Sequence, residues 1–498
     1  MILLSDNGSG YRQLYPLFYF NSTFAQSQRM FIKQLYTSCL SEAAYYIESE
    51  GKAAIIDPLR DIEPYLELAK ERNASIQYIF ETHFHADFVS GHLDLSKATG
   101  APIIYGPGTV TRFPVTVAKD GEQFPLGALR FQVLHTPGHT LESSCYLLKD
   151  ATDTPVAIFT GDTLFVGDVG RPDLAQKGAE LTMEDLAGML YDSLQSKIAP
   201  LPDSVVLYPA HGAGSSCGKN LGPETFSTLG EQRVSNYALQ PQTKEAFIKA
   251  VTDGLAAPPQ YFPINAQINK EGYDSLDAVM QKGLTPLTPE AFKSAMAGDV
   301  VVLDTRHADV FTNCFVPGAV FIGLEGRFAE WAGSLLPFDK PILLITESGK
   351  EKGTIVRLAR VGFSKIEGYL DGGMDAWTAA GYPTDMIINI EADELAMDLP
   401  FDPNMVVLDV RRETEFADGH VKNAINLPLQ TMTDPGELSS VDDKLNLYVH
   451  CAGGYRSVIA ASMLKREGFH NLRNVEGGWA KIKEQSKIPT EKETSVLN

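Results

Sequence analysis

Three side chains able to bind a metal crowd one short stretch, ETHFHADFVSGH at residues 81–92: His83, His85 and Asp87 alternate, and then Phe88 breaks the pattern. Further along, TPGHT offers His139, FTGDTLF offers Asp162 and PAHGAG offers His211. Each lies where a short β-rich apolar run gives way to a turn, and ligands from separate strand ends converge only when the strands share a sheet. Gly138, Gly161 and Gly212 stand beside them and allow tight turns. Six of the ten histidines fall between residues 83 and 211, which points to a metal centre and not to scattered loop histidines. His92 and His135 read as structural. A second chemistry sits in VHCAGGYRS, residues 449–457, between the apolar run LNLYV and the helical run SVIAASMLKREGF. A thiol at such a strand-to-helix junction gains loop N–H groups and the positive helix N-terminus, which favour its thiolate. Gly453 and Gly454 let the backbone wrap a terminal sulfur on Cys451, and Arg456 adds positive charge.

The elements that must position these groups are legible in outline. At 498 residues the chain is long for one core and suggests about three domains. From Met30 to about residue 264, short apolar runs alternate with turns: KAAIIDP, IQYIFET, LRFQVLHTPGH, VAIFTGD, VVLYPAHG. The Pro-rich pieces GLAAPPQYFPI and GLTPLTPE then read as a linker, assigned to 265–285. VVLDTRHADVF and, about a hundred residues later, VVLDVRRETEF share V-V-L-D-x-R, and each leads to a late Gly-Gly near a Trp. This is an internal repeat of two α/β units, 286–385 and 386–498. Residues 1–29 read as a disordered extension, or as a start placed upstream of a true start at Met30.

Composition narrows the function classes. Hydrophobic residues make up 44% and charged residues 21%, as in an ordinary globular protein, and no apolar run approaches a membrane span. A net charge of -21 argues against nucleic acid, which needs clustered Lys and Arg. Five scattered cysteines (Cys39, Cys145, Cys217, Cys314, Cys451) are a reduced, cytoplasmic pattern and not a disulfide framework.

The constellation H-x-H-x-D followed by distant His, Asp and His resembles the metallo-β-lactamase superfamily across residues 30–264. The resemblance implies an αββα sandwich, followed here by the two α/β units. In dinuclear zinc hydrolases of that superfamily, including the glyoxalase II type, the second metal takes the Asp and a final His of the motif. Phe88 stands at that final position and has no donor atom, so one metal is expected. The persulfide dioxygenase branch is similar, and its arrangement implies His83, His139 and Asp162 as ligands of one Fe(II), with O₂ as co-substrate. His85, Asp87 and His211 would then orient ligands, water or substrate. A zinc site of His83, His85 and His139 is the competing assignment. Arg171, in DVGRPDL, is expected to pair with a carboxylate of a thiol substrate, or else with a structural Asp. Cys217, six residues past His211, is either a sulfur relay or a buried inert thiol.

Cys451 in C-x-x-G-x-R, with LDVRRETEFADGHVKNAINLP upstream and VEGGW downstream, resembles the rhodanese sulfurtransferases across residues 386–498. That implies a persulfide on Cys451, its outer sulfur cradled by loop amides including those of Gly453 and Gly454. A C-x₅-R loop also serves phosphatases and arsenate reductases, so a phosphatase-like side activity stays open. The first repeat runs from ILLIT into ESGKEKGTIVRLARVGF with no Cys, so 286–385 looks like an inactive pseudo-rhodanese; Cys314 lies in the wrong segment to substitute.

Together these imply oxidation of a small thiol persulfide (glutathione, coenzyme A or bacillithiol type) to sulfite and thiol, coupled to sulfur transfer that makes or uses thiosulfate. A glyoxalase II-type zinc thioesterase is the alternative, and a non-enzymatic sulfur carrier a third reading. A homo-oligomer is expected from the resemblance.

Overall fold

The computed structural model describes residues 30–175, 181–438, 441–442 and 444–493, so the expectation for residues 1–29 lies outside the described residues. The chain forms two compact units. The first runs to Ala278 and includes Val356–Gly362; the second holds Val279–Ile355 and the chain from Phe363 onward.

In the first unit, six strands form one sheet in sequence order: β1 (Phe31–Thr37), β2 (Glu42–Ser49), β3 (Lys52–Ile56), β4 (Ser75–Phe80), β5 (Ile103–Tyr105) and β6 (Thr116–Val117). A second sheet carries β7 (Gln123–Leu126), β8 (Leu129–His135), β9 (Ser144–Lys149), β10 (Pro155–Gly161), β11 (Val206–Pro209) and β12 (Ser227–Thr228). The period-2 alternation of strands explains the layering. Along β2, Ala43, Tyr45 and Ile47 enter a core shared with Phe131, Tyr146 and Phe159 of the second sheet. Ala44 and Tyr46 point the other way, onto a core with Leu68 and Ala69 of the helix Glu63–Glu71. The outer face of the second sheet packs Ile158 and Leu207 on Leu190 and Phe247 of the helices Met183–Ser193 and Lys244–Thr252. The result is the expected αββα sandwich.

The second unit repeats one topology twice. The first copy is a five-stranded parallel sheet ordered Pro286–Leu287, Ile366–Leu370, Ile342–Ile345, Val301–Asp304, Val320–Phe321. The second is ordered Ile388–Ile390, Leu472–Val475, Asn446–His450, Met405–Asp409, Ile425–Asn426. The D-x-R of each repeat is a local clamp. Arg306 donates to both carboxylate oxygens of Asp304 and to the Cys314 carbonyl, and Arg411 does the same to Asp409 and the Gly419 carbonyl. The stretch read as a linker carries the helices Phe262–Glu271 and Leu276–Gly283. Among the described residues no helix is long and apolar enough to cross a membrane.

Candidate metal centre and sulfur-transfer loop

The first centre is built at strand ends. His83 follows β4, His139 lies in the turn after β8, Asp162 follows β10 and His211 follows β11. Ligand atoms of His83, His139 and Asp162 all lie within 4.8 Å of one another, and all three residues are buried. His139 Nε2 is 3.4 Å from Asp162 Oδ2, and His83 Nε2 is 3.8 Å from it.

The remaining ring atoms are held from behind. His139 Nδ1 donates to the Arg171 carbonyl at 2.8 Å. His83 Nδ1 lies 2.9 Å from Thr82 Oγ1, whose hydroxyl donates to Asp57. Both Nε2 atoms are thereby turned toward Asp162 Oδ2, which is buried with no hydrogen-bond partner. An orphaned carboxylate oxygen facing two imidazoles, each fixed through its other nitrogen, fits a bound cation. Burial, with His85 close by, pushes His83 well below its usual range, so it is a neutral imidazole able to ligate. Burial alone would raise Asp162, but the facing His211, His83 and His139 outweigh it and hold the carboxyl below its usual range.

His85 does not join this set. Its ring stacks on Phe88, with centroids 4.3 Å apart, and its Nε2 faces Asp57 at 3.1 Å and Glu81 at 3.6 Å. The structure therefore does not assemble the competing three-histidine site; His85 groups with Asp57 and Glu81. His211 sits between two carboxylates, Nδ1 at 2.8 Å from Asp162 and Nε2 at 2.7 Å from Asp87. Burial opposes a charge on His211, but those two carboxylates outweigh it and hold the imidazole well above its usual range.

Of the two partners considered for Arg171, the protein one is present. Its guanidinium is bidentate to Asp173 and also donates to the Ser216 and Ala256 carbonyls. At 4% exposure it braces loops and does not present a free fork to a substrate. Cys217 is buried, and burial together with Asp87 and Asp162 pushes its thiol well above the ordinary range.

In the second unit, Cys451 follows the strand Asn446–His450 and is 1% exposed. Its sulfur accepts the Gly454 N–H at 3.1 Å, and Gly454, at φ +106°, opens the helix Tyr455–Arg466. Gly453 has nothing near its Cα that a side chain would meet, which leaves the loop rim open. Arg456 is bidentate to Glu415, at 2.7 and 2.8 Å, so its charge is shared with a carboxylate. The first repeat's loop has no Cys at the matching place and runs straight into the helix Glu351–Arg360.

With this geometry in hand, comparison with known proteins places the chain. A model described as the metallo-beta-lactamase superfamily matches residues 38–211. A solved metallo-beta-lactamase from Staphylococcus aureus is 33% identical with TM-score 0.62, covering 68% of this chain and 98% of that one. The chain belongs to the metallo-β-lactamase superfamily. Its superfamily domain is followed by two rhodanese-like domains, matched at 288–380 and 391–485. A hydroxyacylglutathione hydrolase from Citrobacter koseri is 35% identical over 33% of this chain. The chain spans only 58% and 60% of the length of the curated relatives it matches. The structure of ETHE1 from Myxococcus xanthus is 29% identical and covers 48% of this chain and 98% of that one. Its TM-score is 0.41.

Several residues that shape the two sites were not singled out by sequence reasoning. Asp57 and Thr82 stand behind His83, and only the Asp of IIDP and the Thr of ETHFH hinted at them. Asn269, from the segment read as linker, donates to the His85 and Phe88 carbonyls and accepts from Ser90 N–H. Glu415 was visible only as part of the rhodanese-like E-F, and Gly478 only as part of VEGGW.

Proposed function

We propose that the His83–His139–Asp162 centre holds one ferrous ion and oxidises a low-molecular-weight persulfide to sulfite and the parent thiol. In the same chain, Cys451 would move sulfane sulfur to or from thiosulfate. The observation that supports this best is the donor set. Two imidazoles face the orphaned oxygen of one carboxylate, and a thiol-bearing rhodanese-like loop occupies the same polypeptide. Ferrous iron, held by His83, His139 and Asp162, would supply the redox chemistry that activates dioxygen toward a substrate sulfur.

The chain's own residues supply orientation. Thr82 and the Arg171 carbonyl fix the two rings, and the facing imidazoles hold Asp162 ionised. Persulfide, dioxygen and water balance as thiol, bisulfite and one proton, the outer sulfur losing four electrons to dioxygen. At the second site the Cys451 thiolate attacks the outer sulfur of a persulfide and expels its thiolate. Sulfite then takes that sulfur, leaving thiosulfate and the free Cys451 thiolate.

The test is oxygen consumption by the iron-loaded full chain on glutathione, coenzyme A and bacillithiol persulfides. Uptake is expected with at least one of them, lost in His83→Ala and kept in Cys451→Ser. Loss of uptake in Cys451→Ser would overturn the division of labour. A second reading, a zinc-dependent thioester hydrolase, draws support from the hydroxyacylglutathione hydrolase likeness. Release of glutathione from a hydroxyacyl thioester by the zinc-loaded protein, with no oxygen uptake by the iron form, would favour it instead.

A further inference from the structure

We propose that Arg360 is a positioning residue for the centre at His83, His139 and Asp162. Through it, the first repeat, whose loop has no Cys, holds the turn that carries His83 and His85. Arg360 ends the helix Glu351–Arg360, and its stretch Val356–Gly362 belongs to the first compact unit. Its guanidinium is bidentate to Asp61, Nε to Oδ1 at 2.7 Å and Nη2 to Oδ2 at 2.8 Å, and both residues are buried. Its carbonyl, one of the last four that a helix leaves without an internal partner, accepts the Val89 N–H at 2.7 Å.

These bonds close a ring of three segments. Asp61 lies in the loop after β3, and Val89 directly follows Phe88 in the turn. Those two segments also meet each other, because Gly91 N–H donates to the Pro58 carbonyl at 2.7 Å. A Cβ on Gly91 would stand 2.0 Å from the Leu59 carbonyl oxygen, so the loop cannot shift without moving the turn. Asn269 grips the same turn at the Phe88 carbonyl and the Ser90 N–H, on either side of Val89. Residues 88 to 90 are thus each fixed by a partner far away in sequence. The Arg360 fork fixes the helix end, and with it the carbonyl that holds Val89.

The second repeat supplies the comparison. A-R-V-G-F at 359–363 matches K-R-E-G-F at 465–469, so Arg466 stands where Arg360 does. Both helices end alike. Gly362 at φ +93° and Gly468 at φ +95° turn the chain, and each donates its N–H to the carbonyl three residues back at 3.1 Å. Arg466 is nevertheless exposed, whereas Arg360 is only 6% exposed and forked onto a carboxylate. Helix termination alone therefore does not bury this arginine. Its burial goes with the repeat that lacks the cysteine, and it is spent on the turn of the first unit. The inference needs His83, His139 and Asp162 to hold a metal and rests on no particular reaction.

The test is titration of metal-stripped full-length protein with Co(II), reading visible absorption and affinity against a chelator. Thermal melts and sulfur transfer by Cys451 are followed in parallel. Arg360→Gln should lower cobalt affinity by about 10–100-fold and shift the visible bands, because the turn no longer holds the His83 ring in place. Arg360→Lys should recover part of the affinity, as an ammonium cannot reproduce the fork. Arg466→Gln should match the wild type in every reading. Should Arg360→Gln fail to fold, Arg360→Gln combined with Asp61→Asn leaves no buried charge unpaired and is read in its place. A variant that melts lower yet keeps the wild-type affinity and bands overturns the inference, since Arg360 then only packs. An equal loss of affinity in Arg466→Gln overturns it as well. Normal cobalt binding without oxygen uptake by the iron-loaded chain would refute the dioxygenase reading alone and leave this one standing.

Discussion

A Cβ on Gly478 would lie 2.2 Å from the carbonyl oxygen of Cys451. The second glycine of VEGGW thus shapes the Cys451 loop, because only a bare Cα lets the following helix press against the thiol's own peptide. The contact is completed by Trp479 N–H, which donates to that carbonyl at 2.6 Å. Gly478 also sits at φ +53°, a conformation that is strained for other residues by about 1–2 kcal/mol. Gly478→Ala should therefore displace the Cys451 loop. A shift near 1 Å can lower a rate on the order of a hundredfold, so thiosulfate sulfurtransferase activity should fall by about that much. Metal content of the first unit should not change. Unaltered sulfur transfer would show that the loop tolerates the displacement.

Arg456 reaches Glu415 through two parallel bonds, and a lysine cannot reproduce that fork. Arg456→Lys should lower sulfur transfer by roughly tenfold, since the residue five places after Cys451 no longer fixes the start of the helix. The pair also carries a pH signature. The hydrogen bond from Arg456 holds the Glu415 carboxyl below its usual range, partial burial opposing it. A depressed carboxyl contributes stability above the unfolded value of about 4.3 and loses it as pH falls through the folded value. The second unit should therefore lose stability in acid, and Glu415→Gln should flatten that loss in thermal melts taken across this pH range.

How much of this was readable from residues alone depends on how local the physics is. The strand-end histidines and Asp162 were legible because apolar runs, turns and donor types all fall within short windows. The D-x-R repeat was legible for the same reason, since Asp304 and Arg306 bond each other two residues apart. Choice of partner was not legible. Arg171 had two plausible carboxylates, and only the folded chain put Asp173 beside it and closed it off from solvent. Cys217 had a plain sequence neighbourhood, and its approach to Asp87 depends on how two loops from different strands meet. Asn269 lies 184 residues from His85 in a Pro-flanked stretch that composition marks as a linker.

Asn269 is the clearest case of a positioning residue hidden by sequence distance. Its fully buried amide closes three bonds around the turn that carries His83 and His85, to the carbonyls of His85 and Phe88 and from the N–H of Ser90. Asn269→Ala leaves those groups buried and unpaired, at a cost of about 2–4 kcal/mol. A drop of several degrees in the melting temperature of the first unit should accompany weaker retention of metal through gel filtration. A variant that melts as the wild type does would mean that water replaces the amide.

The relay behind His83 gives the sharpest separation between structure and metal binding. Asp57 accepts from Thr82 N–H at 2.7 Å and from its hydroxyl at 2.9 Å, and that hydroxyl in turn meets His83 Nδ1 at 2.9 Å. The hydroxyl therefore does for His83 what the Arg171 carbonyl does for His139: it sets which ring nitrogen faces the ion. Thr82→Val keeps the shape and the N–H bond to Asp57 and removes only the hydroxyl. Loss of such a supporting partner typically lowers metal affinity 10–100-fold, and competition against a chelator should show a drop of about that size for iron. Thr82→Ser should restore most of the affinity because it returns the oxygen. If valine binds iron as tightly as threonine does, burial and Asp162 alone orient the ring, and the relay is structural.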